Sequence, residues 1–208
     1  GADLVSDLDM QAMLRSSRLI ANESTLTTLK QQLMKVVAAS AGAQRGVLAL
    51  LEDGAWVVTA CYDEARGGDV IEEDAALDHY PEAPRHLLRM GIRRGHSLVL
   101  HDAASSGGFE HDPYIRANTV QSALCVPLRH GDAVTGVLYL ENRAMPGVFR
   151  ETRVRLIELL AAQASAAVEK ARLLQQMESR VEVRTRELRD AKRQLEHANQ
   201  ELCASEER

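Results

Sequence analysis

The C-terminal part of the chain contains neither proline nor glycine. From Arg150 to Arg208 no residue breaks a helix, and apolar residues recur in steps of three and four. The pattern predicts one continuous helix from about residue 151 to the end of the chain, with a length of roughly 85 Å. A helix of that length cannot be buried in a protein of 208 residues. The chain must therefore combine a globular domain with an extended helical element.

This helix carries two heptad series of the kind that form coiled coils. The last residue of the first series and the apolar and interior positions of the second form a predicted dimer interface: Leu174, Met177, Val181, Arg184, Leu188, Leu195 and Leu202. Two successive steps of three residues meet at Leu174, which is the pattern of a stammer that overwinds a coiled coil. In a parallel pair, Glu187 would face Lys192 on the other copy. We therefore predict a parallel homodimer, whose seam is weakened by Arg184 at an interior position.

Composition narrows the class of protein. The hydrophobic content of 45% is enough for a packed core, and no segment resembles a membrane span or a signal peptide. The formal net charge of -5 and the aromatic content of 3% argue against a nucleic-acid binder. Three widely spaced cysteines form neither a disulfide framework nor a CxxC metal site, which favours the cytoplasm. The start at Gly1 suggests a piece of a longer protein.

The order of periodic segments predicts an α+β fold. Two amphipathic helices precede two hairpins, which have Asp53-Gly54 and Gly131-Asp132 at their turns. Between the hairpins we expect a loop over 67–78, a short helix after "PEAP", a strand at "SLVL" and one or two helical turns near 112–117. The expected architecture is an antiparallel sheet of about five or six strands, with amphipathic helices on one face and a short helix plus loops on the other.

Residues from about 8 to 175 resemble the GAF domains of bacterial signalling proteins. The resemblance rests on "HDPYI", on "SALCVPLRHGDAVTGVLYLEN" and on "VFRETRVRLIELLAAQASAAVEKARL". It implies a sensory domain with a small-molecule pocket between the sheet and the short helix and loops. The tail is similar to linkers that join such domains to PAS, diguanylate cyclase or histidine kinase modules. We therefore expect an N-terminal helix of the dimer bundle over 1–23, a sensory domain over 24–172, and a coiled-coil helix over 173–208 that leads to an output domain.

The resemblance and the strand pattern together point to polar side chains that could meet a ligand. These candidates are His86, His101, Tyr114, Ser122 and Tyr139. Tyr139 alternates with Leu138 and Leu140, so its side chain must lie on the opposite face of its strand. Each candidate could equally be an ordinary core or surface residue, and the identity of any ligand is left open.

Known cofactors of related domains receive little support from the sequence. The N-K…F…D-E pattern of cyclic-nucleotide binders is absent, and neither Cys61 nor Cys125 is followed by the histidine common in bilin-binding relatives. Haem could be ligated by histidines in the region of the pocket wall, but no c-type attachment motif marks such a site. These histidines are His79, His86, His96, His101 and His111. No metal site is predicted.

The expected function is to sense a small molecule or relay a signal through a homodimer formed by the N- and C-terminal helices. No catalytic motif appears, so we expect no enzyme activity within these residues. One alternative is a ligand-free structural dimerisation module. A second is a cysteine-dependent reductase of free methionine sulfoxide, a chemistry known on this fold, although only Cys61 and Cys125 lie in the domain.

Overall fold

A computed structural model describes residues 26–105 and 108–206, with the side chains of the last helix described as far as residue 194. The helix expected over 1–23 lies outside the described residues. The described chain divides into two units, one ending at Glu169 and one beginning at Lys170. The helices are α1 (Leu26–Ala41), α2 (Arg85–Arg94), α3 (Pro113–Ala117) and α4 (Glu151–Glu206). The strands are β1 (Arg45–Glu52), β2 (Ala55–Asp63), β3 (Val70–Ala76), β4 (Leu98–Leu100), β5 (Ser122–His130) and β6 (Ala133–Asn142).

The six strands form one sheet in the order β3-β2-β1-β6-β5-β4. Every neighbouring pair is antiparallel, so the expected sheet is confirmed. The turn at Asp53-Gly54 has positive φ at both residues, 48° and 83°, as a tight hairpin requires. The loop expected over 67–78 is wrong, because Val70–Ala76 forms the edge strand β3. Its acidic residues lack the apolar alternation of a strand with one buried face.

The sheet separates two apolar clusters. On one face, α1 and the first part of α4 cover residues such as Leu124 and Leu140, and Phe149 is buried among them. The other face is covered by α2, α3 and the turns at 77–80, which pack on Val47, Val137 and Tyr139. The predicted placement of amphipathic helices on one face and a short helix plus loops on the other is confirmed.

The second unit is the continuation of α4 beyond Lys170. A single long helix is confirmed, whereas its pairing as a coiled coil stays a prediction. The apolar side chains of the predicted seam are 46–69% exposed at Leu174, Met177, Val181 and Leu188. The side chains of Leu195 and Leu202 lie outside the described part. Over the described residues, no helix is long and apolar enough to cross a membrane.

Candidate functional site

Charged side chains enter the interior at the ends of three strands. Arg45 begins β1 and lies opposite Asp63 of β2 and Glu141 of β6 in the strand register. Directly opposed residues of antiparallel strands project to the same face, here the face covered by α2 and α3. Arg45 is 3% exposed and Glu141 is 0% exposed. Burying a charged group costs free energy of folding unless the group is paired, so each of these side chains requires partners in the interior.

Arg45 connects two strands to the turn that precedes α2. Its Nη1 donates to Asp63 Oδ2 at 2.9 Å, and its Nη2 donates to Glu82 Oε2 at 2.8 Å and to the Glu82 carbonyl at 3.0 Å. Arg66 donates to the same carboxylate at 3.2 Å. Burial alone would raise the pKa of Glu82, but its hydrogen bonds and ion pairs with Arg45 and Arg66 lower it. The Nε of Arg45 is buried without a hydrogen-bond partner among the described residues.

Glu141 is the centre of a second set of contacts, which reaches α3. The hydroxyl of Tyr139 donates to Glu141 Oε2 at 2.7 Å, and Arg143 Nε donates to Oε1 at 2.6 Å. Arg143 also donates to the Tyr114 hydroxyl at 3.3 Å. Asp112 caps the N-terminus of α3 and so fixes the position of Tyr114. Burial, followed by the charge of Glu141, raises the pKa of both tyrosines.

Tyr80 completes this region from the turn at 77–80. Its hydroxyl is buried and lies near the Cys61 thiol, but it has no aligned hydrogen-bond partner among the described residues. Burial raises the pKa of Cys61 and of Tyr80, so both groups are protonated at neutral pH. We call the buried and half-buried polar residues of this face the polar cluster: Arg45, Cys61, Asp63, Tyr80, Glu82, Tyr114, Tyr139, Glu141 and Arg143.

The helix α2 closes this face by a very close approach to β5. Gly91 lies directly over Cys125, because a Cβ at this glycine would be 2.4 Å from the Cys125 Sγ. Burial raises the pKa of the Cys125 thiol to about 12. Cys125 therefore packs as a small apolar residue beneath the helix.

The structure brings two of the five predicted ligand-contacting residues together. The rings of Tyr114 and Tyr139 meet edge to face, with centroids 6.5 Å apart. His86 is exposed, with its ring centroid 5.7 Å from that of Phe109. His101 is also exposed, and its backbone carbonyl accepts from the Gly147 amide.

Ser122 lies on the opposite face of the sheet from Tyr139. It is opposed to Asn142 and precedes Leu124 by two residues, on the face covered by α1 and α4. Its hydroxyl donates to the Met145 carbonyl at 3.1 Å. No group of three or more histidine, cysteine or acidic side chains within the described ranges could hold a metal ion.

Sequence reasoning missed Arg45, Tyr80 and Glu141. Arg45 and Glu141 each occupy a strand position where the alternation requires an inward side chain, in "RGVLAL" and "LYLEN". A charge at an inward position of a predicted strand was therefore an available signal. Tyr80 follows no such pattern, because it lies in an irregular turn.

Comparison with known proteins identifies the family. A family model described as the GAF domain matches residues 25–168. The chain belongs to the GAF domain family. Among solved structures, this GAF domain is similar to that of an Acinetobacter phosphoenolpyruvate-protein phosphotransferase, at 19% identity and a TM-score of 0.63, covering 81% of this chain and 96% of the other. It is also similar to a free methionine-R-sulfoxide reductase from Neisseria meningitidis, at 14% identity and a TM-score of 0.59, covering 84% and 96%. At these identities the likeness shows the fold alone.

Two curated relatives of this GAF domain are histidine kinases. Hybrid signal transduction histidine kinase G of Dictyostelium discoideum is 28% identical over 76 residues, which are 36% of this chain and 2% of that protein. Histidine protein kinase 1 of Candida albicans is 30% identical over 100 residues, which are 45% of this chain and 4% of that protein. The chain thus spans only a small part of the length of these relatives.

Proposed function

We propose that this GAF domain is the sensory part of a signalling protein, and that it binds a small molecule at the polar cluster. The observation that carries the proposal is a pair of buried polar groups: Arg45 Nε has no partner among the described residues, and the Tyr80 hydroxyl has only the weakly accepting Cys61 thiol near it. A buried polar group without a partner costs free energy of folding. Both groups can donate a hydrogen bond, so a ligand with carboxylate or carbonyl oxygens would satisfy them.

The polar cluster is connected to the start of α4 by short contacts. Arg143 contacts Tyr114 and Glu141 through its side chain, and its backbone amide donates to Gln44 at 2.8 Å. The adjacent Asn142 accepts from the amides of residues 144 and 145, both at 2.9 Å, in the turn that leads to α4. A ligand that moves α3 would therefore act on the segment that enters the long helix.

The proposed output path is a parallel pair of α4 helices in a homodimer. The exposed apolar stripe at Leu174, Met177, Val181 and Leu188 supports a second copy as its partner, because an isolated polar helix with one such stripe is rarely stable. Arg184 pairs with Glu187 within one helix at 3.0 Å. In the dimer, Glu187 would instead have Lys192 of the other copy within reach, which gives the helix two alternative ion pairs.

The histidine kinase relatives support a downstream enzyme in the same protein. Their matched segments are small parts of much longer chains, as expected for a sensory domain. We therefore propose a histidine kinase as the output module, with a diguanylate cyclase as the alternative, and the cytoplasm as the compartment.

Native mass spectrometry of the purified chain tests both parts of the proposal. We expect the mass of a dimer with a retained small molecule. Tyr80→Phe should retain less than about a fifth of the ligand, because the lost hydroxyl is a ligand donor. The matched control, Tyr62→Phe, removes a hydroxyl from β2 on the opposite face and should retain the ligand fully. The Tyr80 hydroxyl has only the Cys61 thiol near it among the described residues, so its removal should change the melting temperature of the ligand-free protein by little.

The alternative function is a ligand-free dimerisation module. It is favoured by Tyr114 and Tyr139, whose buried rings pack against each other and occupy part of this face with protein atoms. A dimer without retained ligand, together with no stabilisation by a library of small carboxylates, would support this alternative. If the Tyr80 and Tyr62 variants retain the ligand equally, the ligand does not bind at the polar cluster.

The reductase alternative has less support. Cys61 and Cys125 are buried, and burial raises the pKa of both thiols, which disfavours the reactive thiolate. Their strands, β2 and β5, are separated by β1 and β6 in the sheet. Three strand spacings correspond to about 14 Å, which is too far for one cysteine to resolve the other without rearrangement.

A further inference from the structure

A shallow, open depression outside the polar cluster lies between α2 and the start of β2. It is a surface cleft of about 380 Å³, near the lower end of the range for small-molecule sites. We call it the Trp56 cleft, and it is lined by Trp56, Leu77, Asp78, Arg89, Ile92 and Arg93. Leu77 is buried, and Trp56 and Ile92 are half-buried against the core. The cleft therefore has an apolar base supported by the domain interior.

The charged residues of the Trp56 cleft are arranged unequally. Asp78 forms an ion pair with Arg89, and its backbone carbonyl accepts from Arg85, so its negative charge is compensated. Arg93 lies one helical turn beyond Arg89, and its exposed side chain has no hydrogen bond or ion pair among the described residues. Two arginines against one aspartate give the cleft a net charge of +1. The sequence of α2, RHLLRMGIRR, contains no acidic residue that could reduce this charge.

These features together select the chemistry of a ligand. Trp56 presents part of a flat aromatic surface to the cleft, and aromatic rings stack on such surfaces in offset or edge-to-face contacts. An arginine that is not already paired binds a carboxylate through charge-assisted hydrogen bonds. We propose that the Trp56 cleft binds a small aromatic carboxylate, with its ring against Trp56 and Ile92 and its carboxylate at Arg93. The site shares no residue with the polar cluster and does not depend on the function proposed above.

Trp56 is the single tryptophan of the chain, so its fluorescence reports directly on the cleft. The probes are phenylacetate, 2-phenylethylamine, which has the same ring and the opposite charge, and acetate, which has the charge without the ring. We expect a saturable change of Trp56 fluorescence with phenylacetate below about 10 mM, and none with the other two probes. Absence of saturation by phenylacetate, or an equal response to 2-phenylethylamine, would overturn the proposal.

Two neighbouring arginines provide matched variants. Arg93→Gln should weaken phenylacetate binding by at least about fivefold, because the carboxylate loses its charged partner. Arg94→Gln removes the same charge from the next residue, which is also exposed but does not line the cleft, and should leave the affinity unchanged. Calorimetric titration of Trp56→Phe should show weaker binding through a smaller aromatic surface. Equal affinities of the Arg93 and Arg94 variants would place binding elsewhere.

Discussion

The contact between α2 and β5 predicts that one substitution has opposite effects in two backgrounds. At Gly91, the Cβ of an alanine would lie 2.4 Å from Cys125 Sγ, about 1 Å closer than an ordinary contact that begins near 3.4 Å. Overpacking of this kind costs about 1–3 kcal/mol. Alanine recovers roughly 1 kcal/mol through its better helix propensity. Gly91→Ala should therefore destabilise the wild-type fold by up to about 2 kcal/mol.

In a Cys125→Ala background the obstructing sulfur is absent. The remaining nearest atoms to the new Cβ are the Cβ of residue 125 and Val137 Cγ2, both at 3.8 Å, which is an ordinary contact. Only the gain in helix propensity from glycine to alanine then remains, so Gly91→Ala should stabilise this variant by roughly 0.5–1 kcal/mol. The coupling free energy between the two sites should be about 1–3 kcal/mol.

Urea unfolding followed by circular dichroism measures all four proteins of this cycle. Leu33→Ala provides the control, because Leu33 is buried on the other face of the sheet. Its effect should add to that of Gly91→Ala within about 0.5 kcal/mol. If Gly91→Ala changes the free energy of unfolding by the same amount with and without the Cys125 thiol, the proposed steric cause is refuted.

Three further predictions concern the polar cluster, the buried thiol and α4. Tyr139→Phe should lower the free energy of unfolding by about 2 kcal/mol, because Glu141 loses a buried donor; an unchanged urea midpoint would contradict this. Burial raises the pKa of Cys125 from 9.0 to about 12, so the stability that this thiol contributes below pH 9 is lost as the pH rises towards 12. Cys125→Ala should reduce the alkaline slope of unfolding free energy by about 1.4 kcal/mol per pH unit in that window, and a parallel slope in both proteins would exclude the thiol as its source. Arg184→Leu should tighten the predicted dimer at least about tenfold in sedimentation equilibrium, since it places an apolar residue in the seam, and an equal dissociation constant would argue against the assigned heptad.

The parts of the fold that sequence predicts well are those with a strong local pattern. Asp53-Gly54 indicates its hairpin because the turn requires positive φ, and the run after Arg150 indicates a helix because nothing interrupts it. The strand β3 was missed because an edge strand needs no apolar face. Its identity depends on pairing with β2, which is a non-local contact.

The site was predictable only in part. Alternation with Leu138 and Leu140 assigned Tyr139 to a face of its strand, whereas no periodic pattern placed Tyr114. The side chains of β5 also alternate between the two faces of the sheet, and Ser122 projects to the face opposite Tyr139. Periodicity separates the two faces, but it does not tell which of them borders a ligand. The contact between Arg143 and Tyr114 joins residues 29 positions apart, and such a meeting follows from tertiary packing.

The two edges of the sheet limit how copies of this domain can associate. One edge is β3, which carries Glu72, Glu73 and Asp74, and the other is β4, which is only three residues long. Two copies aligned along β3 would bring like charges together on adjacent strands, and β4 offers too few backbone groups for a continuous ladder. The sheet is thereby protected against edge-to-edge aggregation, so even crowded copies should not polymerise through strand pairing.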